Sequence, residues 1–186
     1  MPEYLELEIS LVGIRPRIWR RFRIASTATF ADLHDAIQHS FGWENCHLWE
    51  FVEPRRRGNA IAGIPDDEFR DGRPAASAVK LSQYFTGRGT GKRCHYVYDF
   101  GDDWTHDVKL VDTGSDPERY QRRLVAGKRA CPPEDCGGVP GYARMVEFLA
   151  TGKDPYGGDL EELRESIDDL QPESFDLAAW KAAFDC

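Results

Sequence analysis

Residues 93–110 read RCHYVYDFGDDWTHDVKL, and their alternation decides the fold class. Cys94, Tyr96, Tyr98 and Phe100 fall on one side of a first arm at 93–100. Trp104, His106, Val108 and Leu110 fall on one side of a second arm at 104–111, the period-two spacing of half-buried strands. Gly101 and Asp102 stand between the arms, and both residue types suit tight hairpin turns. The stretch predicts an antiparallel hairpin whose inner face carries one polar exception, His106. A buried polar group must find a partner, so His106 calls for either a backbone carbonyl or a metal.

The same alternation recurs upstream. In 4–12, YLELEISLV, Leu5, Leu7, Ile9 and Leu11 share one face and Glu6 and Glu8 the other. In 14–24, IRPRIWRRFRI, Ile14, Ile18, Phe22 and Ile24 share one face, which only Arg20 interrupts. The opposite face carries Arg15, Arg17, Trp19, Arg21 and Arg23. Gly13 and Pro16 punctuate the join, so the two segments predict a second hairpin. A helix should follow over TATFADLHDAIQHSFGW, with Thr29 and Asp32 as a capping pair, Phe30, Leu33, Ile37 and Phe41 as an apolar stripe, and Gly42 as the stop. His34 and His39 are five residues apart, about 140° around a helix, and read as surface or boundary residues rather than paired ligands.

Further strands are predicted at 47–53 and 122–126, a long loop at 54–76 and a short helix or turn at 79–85. Arg55, Arg56 and Arg57 read as a solvated tip. The loop TGRGTGK has Thr86 and Arg93 where a P-loop needs glycine and serine or threonine. The C-terminal part carries apolar residues at helical spacing over 140–150 (Tyr142, Met145, Val146, Leu149), 159–170 and 176–184 (Leu177, Trp180, Phe184). This order, two strands, a helix, more strands and then helices, predicts an α+β fold. Its sheet is antiparallel or mixed, with a β-grasp-like start and a helical C-terminal region. We read one domain over 1–186: 1–126 supplies the sheet and main helix, and 127–186 a cysteine loop with helices packed on the sheet.

At 186 residues, 41% hydrophobic and 30% charged, the chain has ordinary globular composition. No run approaches the roughly 18–20 apolar residues of a membrane helix, and the N-terminus lacks the pattern of a signal peptide, so the expected setting is cytoplasmic. Five cysteines without an export signal point to free thiols or metal ligands. The net charge of −8 opposes general attraction to nucleic acid, although a local basic face is compatible with it.

Three constellations carry chemistry. Asp102, Asp103 and His106 are residue types that bind divalent metals or share acid and base roles, although aspartate also builds hairpin turns. Cys131 and Cys136, in CPPEDCGG, have the spacing of one arm of a zinc site, which would have to recruit His106, His47, Cys94 or a carboxylate such as Asp135; the alternative is a pair of buried thiols. The Arg15, Arg17, Trp19, Arg21, Arg23 face can hold phosphates and stack a base, whereas Glu6 and Glu8 alongside it would neutralise it by cross-strand pairing.

The strings GIRPRIWRRFRI, TFADLHDAIQHSFGWENCHLWEF, YVYDFGDDWTHDVKL and ACPPEDCGGVPGY, in this order, resemble the plasmid pRiA4b Orf-3-like family over residues 3–184. The resemblance implies a compact α+β fold and a setting in plasmid or insertion-element biology. The family pattern near NCHLWEF resembles H-x-H, from which this chain departs at Trp49. A recombinase activity does not carry over: no histidine here is followed by arginine three residues on. The expectation is a non-catalytic domain with a protein or nucleic-acid partner. The rival is a hydrolase or nuclease dependent on zinc or another divalent metal and using Asp102, Asp103 and His106.

Overall fold

The computed structural model describes residues 1, 3–54, 59–64, 72–87, 91–157, 167 and 169–186. The chain forms β1 (Glu3–Leu11), β2 (Trp19–Ala25), α1 (Phe30–Phe41), β3 (Trp49–Val52) and β4 (Ala60–Gly63). A single 3₁₀ turn at Ala76–Ala78 leads into α2 (Leu81–Phe85). Then come β5 (Arg93–Tyr98), β6 (Trp104–Ser115), β7 (Arg122–Lys128), α3 (Gly138–Thr151) and α4 (Leu177–Phe184). The strands make one seven-stranded sheet in the order β4-β3-β5-β6-β1-β2-β7, and every neighbouring pair is antiparallel. The fold is therefore α+β, opening with a hairpin followed by a helix.

Alternation sets which side of the sheet is covered. Leu5, Leu7, Ile9, Phe22, Ile24, Cys94, Tyr96, Tyr98, Trp104 and Val108 are buried on one face, under Phe30, Leu33, Ile37 and Phe41 of α1. Thr29 and Asp32 close the predicted capping box, and Gly42 ends α1 at φ 75°. Helix α4 lies against β7 and α1, with Phe184 packed on Phe22 at 5.2 Å between ring centroids. The opposite face carries Glu6, Glu8, Trp19, Arg21, Arg23, Arg93 and Lys109, paired across strands as Glu6 with Arg23, Glu8 with Arg21 and Glu8 with Lys109. No helix among the described residues is long and apolar enough to cross a membrane.

Several sequence expectations need correction. The second strand starts at Trp19, not residue 14. The segment before it contains Gly13 at φ 86° and Pro16, which has no N–H for a ladder, although Ile14 and Ile18 stay buried. The segment 54–76 is not all loop, because Ala60–Gly63 pairs with β3. Phe100 lies beyond the end of β5 and is exposed, and in α3 Phe148 rather than Leu149 faces inward. His34 is not a surface residue: it lies four positions after Phe30 and shares the buried side of α1. The expected helix at 159–170 and the run Arg55 to Arg57 fall largely or wholly outside the described residues, as do 88–90 of the TGRGTGK loop.

Candidate functional site

Two places combine chemistry with access: a junction of three loops at one end of the sheet, and a groove on its uncovered face. The junction is assembled from α1 outward. Tyr96 on β5 receives a hydrogen bond from the Gln38 amide at 3.0 Å and lies 2.7 Å from Nδ1 of His34. Nε2 of His34 lies 2.7 Å from Oδ1 of Asn45, and the Asn45 N–H donates to Oε1 of Gln38 at 3.0 Å. With Oδ1 of Asn45 as acceptor, Nε2 carries the proton and Nδ1 accepts from the Tyr96 hydroxyl. This closed ring of polar groups fixes Asn45 in the left-handed region at φ 57° and so aims the next residues, Cys46 and His47.

Residues 43–47 then meet the other two loops. Trp43 Nε1 donates to the Pro132 carbonyl at 2.9 Å, and the Glu44 N–H donates to Oε2 of Glu134 at 3.0 Å. The Tyr98 hydroxyl donates to Oε1 of Glu134 at 2.5 Å and accepts from the Cys46 N–H at 3.1 Å. Burial and the neighbouring Glu134 carboxylate both push the Tyr98 hydroxyl up, so it stays protonated and donating. Oδ2 of Asp102 accepts from the Gly137 N–H at 3.1 Å. His47 Nε2 lies 3.1 Å from Oδ1 of Asp135 and 3.8 Å from Oδ2 of Asp99. Removing the Tyr98 hydroxyl leaves a carboxylate oxygen short of a donor, so Tyr98→Phe should lower the unfolding free energy by about 2 kcal/mol in urea titration.

The sequence-derived metal set is not assembled. Among the described residues, the groups of three candidate ligand atoms within 4.8 Å are Cys46, His47 and Glu134, and His47, Asp99 and Asp135. His106 belongs to neither, because its ring is fully buried with Nδ1 donating to the Trp104 carbonyl at 3.0 Å. Phe41 and Trp43 meet that ring edge-on at 4.9 and 5.2 Å. A backbone carbonyl is therefore the partner of Nδ1, while Nε2 is buried among these rings without a hydrogen bond. Asp102 caps Gly137, and Asp103 turns the hairpin at φ 51° beside Thr105. Burial pushes the thiols of Cys131 and Cys136 up to about 12, so both are protonated at neutral pH in the metal-free chain. Cys131 is held by the guanidinium of Arg20, whose Nη2 donates to Sγ at 2.9 Å.

His34 and His106 share an electrostatic consequence. Burial lowers His34 to about 4 and His106 to about 3, so both are neutral in the folded chain. Unfolded, each titrates near about 6.5. Below that value the unfolded state takes up protons that the folded state refuses, so stability is complete above pH 6.5 and falls as pH drops towards 4. Between pH 6 and pH 5 the two together should lower the unfolding free energy by about 2 kcal/mol, read from urea titrations at each pH.

The groove on the uncovered face has a volume of about 520 Å³. Arg15, Arg17, Lys92, Arg93 and Lys109 line it, against the carboxylates of Glu8 and Asp107. Glu8 accepts from Arg17 at 2.8 Å and from Arg21 at 2.6 Å; burial opposes its charge, but the two arginines hold it below the usual carboxylate range. Arg93 is paired with Asp107, and Arg23 with Glu6 at 2.9 Å. Arg15, Lys92 and Lys109 make no ion pair within 4 Å among the described residues, although Lys109 stands opposite Glu8 in the sheet. Trp19 is paired in register with Ser10 of the groove wall, and the Arg21 guanidinium lies 5.7 Å from its ring centre.

A seven-stranded antiparallel sheet with one helix-covered face, a three-loop junction at its end and a cationic groove on the other face defines the class as an α+β domain. The match to known proteins runs over nearly the whole chain. The family model for plasmid pRiA4b ORF-3-like protein matches residues 3–179, so the chain belongs to that family. An uncharacterized protein, y4hQ, from Sinorhizobium fredii (strain NBRC 101917 / NGR234) is 31% identical over 182 residues, 89% of this chain and 91% of that protein. The crystal structure of a protein of unknown function, MM3350 from Methanosarcina mazei Go1, superposes with a TM-score of 0.79. It is 37% identical, and the match covers 96% of this chain and 98% of that one.

Proposed function

We propose that this chain is a non-catalytic binding domain whose cationic groove takes a single-stranded nucleic acid. One observation carries the reading: on a chain of net charge −8, five cations and only two carboxylates line a single groove. Phosphates supply most of the affinity of such complexes, and an aromatic ring beside the cations supplies stacking. Trp19 is placed for that second part on the strand next to Ser10. Of the groove's cations, Arg17 is held by Glu8 and Arg93 by Asp107, so neither is a free charge. Arg15, Lys92 and Lys109 are the cations with charge to spare.

The test is binding of a fluorescein-labelled 12-nucleotide single strand by the wild type and by the triple variant Arg15→Ala, Lys92→Ala, Lys109→Ala. All three side chains are at the surface, so folding should be preserved. The reading expects at least a tenfold loss of affinity. Equal affinity in the two proteins, or no binding by the wild type at low salt, would overturn it.

A further inference from the structure

We infer that His47, Asp99 and Asp135 form a site for one divalent transition-metal ion of the zinc class at the mouth of the three-loop junction. The donors are an imidazole nitrogen and two carboxylate oxygens, all within 4.8 Å of one another. Nε2 of His47 stands 3.1 Å from Oδ1 of Asp135 and 3.8 Å from Oδ2 of Asp99. Two ligands each bonded to one ion at about 2.0–2.2 Å, at a tetrahedral angle, sit roughly 3.3–3.6 Å apart. The two separations from His47 bracket that range, and the two carboxylate oxygens lie within 4.8 Å of each other.

The second observation is the state of Nε2 itself. That atom is shielded from solvent and makes no hydrogen bond, although the Asp135 oxygen is near and the His47 side chain as a whole is 27% exposed. A shielded nitrogen close to two carboxylates and hydrogen-bonded to neither has the arrangement that a shared cation completes. Asp99 is oriented for it: its other oxygen, Oδ1, accepts from the Gly101 N–H at 2.9 Å, the kind of outer hydrogen bond that holds a ligating carboxylate in place.

The overlapping set of Cys46, His47 and Glu134 is the weaker choice. Both oxygens of Glu134 are already taken, by the Tyr98 hydroxyl and the Glu44 N–H. The donor chemistry also fixes the class of ion. One imidazole with two carboxylates suits zinc, manganese or iron(II), whereas calcium and magnesium take oxygen ligands. Three protein donors leave one coordination position open, which a water or a small anion would fill. None of this depends on the cationic groove, which lies on a different set of residues.

The experiment uses the full chain, dialysed against chelator and then titrated with zinc by calorimetry, with thermal melting in parallel. Asp99 and Asp135 both sit at φ 54°, a backbone conformation that asparagine tolerates, so Asp99→Asn and Asp135→Asn remove charge while keeping shape. The expected result is one zinc per wild-type chain, a melting temperature raised by zinc, and at least a hundredfold weaker binding in His47→Gln, Asp99→Asn and Asp135→Asn. Cys46→Ser should bind as the wild type does. A wild type that binds no zinc or manganese overturns the assignment. So does zinc binding that survives both asparagine variants or is lost only in Cys46→Ser, because an exposed thiol would then be the ligand. Melting curves without metal show that each variant is folded, and if one is not, the other two carry the comparison.

Discussion

Replacing Arg20 by alanine is expected to lower the unfolding free energy by about 3–5 kcal/mol, the loss that follows when a buried, fully bonded charge is removed and its partners are left behind. Arg20 is fully buried on the covered face of the sheet. Its Nε donates to the Ser40 carbonyl at 2.8 Å, Nη1 to the carbonyls of Trp19 at 2.9 Å and Lys128 at 3.1 Å, and Nη2 to Cys131 Sγ. The guanidinium also lies 4.2 Å from the ring centre of Phe175, 5.3 Å from Phe41 and 5.5 Å from Trp180. One side chain thus ties the end of α1, strands β2 and β7, the cysteine loop and the segment before α4. Burial pulls the Arg20 pKa down and the Cys131 contact offsets part of it, but a guanidinium keeps its proton. Arg20→Lys retains the charge without the planar fork, so an intermediate loss of about 2 kcal/mol is expected. Urea titration with intrinsic fluorescence reads both values, and an alanine variant within 1 kcal/mol of wild type would remove Arg20 from this role.

The second large effect is expected at Gly138, where alanine should cost about 4 kcal/mol or prevent folding at 37 °C. Gly138 has φ 66°, and a methyl group there would stand 2.3 Å from the carbonyl oxygen of Asp102. The obstructing atom is backbone in the hairpin turn, so no rotamer change relieves it. Helix α3 begins here, and the close approach is what brings the cysteine loop against the 99–103 turn. Gly141→Ala is a companion case, with its Cβ 1.7 Å from the Cys136 carbonyl oxygen. Gly152→Ala, at the far end of α3 with nothing within 4 Å, is the control for positive φ alone and should cost about 1 kcal/mol.

The sheet was readable because its strands keep strict alternation and its turns carry glycine and aspartate. What alternation could not supply is neighbourhood. Asp102 and the CPPEDCGG loop belong to one junction, yet 35 residues separate Asp102 from Gly137, and only the sheet order brings them together. His47 and Asp135 are legible only as residues that could complete a cysteine-based site, because nothing within either loop indicates that they stand beside each other and beside Asp99. His106 is the polar residue on an apolar face, and a carbonyl two residues away takes its Nδ1, while Nε2 stays buried without a hydrogen bond. Arg20 was the same kind of irregularity in β2. It marked a real polar centre, and the signal was available, since an arginine on a buried face must meet several acceptors. On the Arg and Trp face the cross-strand pairing that the sequence suggested is present, with Glu8 holding Arg17 and Arg21 and Glu6 holding Arg23.

The central claim, that the groove binds nucleic acid through its surplus cations, is tested most directly by the salt dependence of wild-type binding to a labelled single strand. Affinity measured at several concentrations from 50 to 200 mM salt should fall on a line in log–log form. With three to five phosphates contacted, its slope should be about −2 to −3.5. In the triple alanine variant it should shallow by about 2. Binding that is absent at 50 mM salt, or whose affinity does not change with salt, would contradict the account.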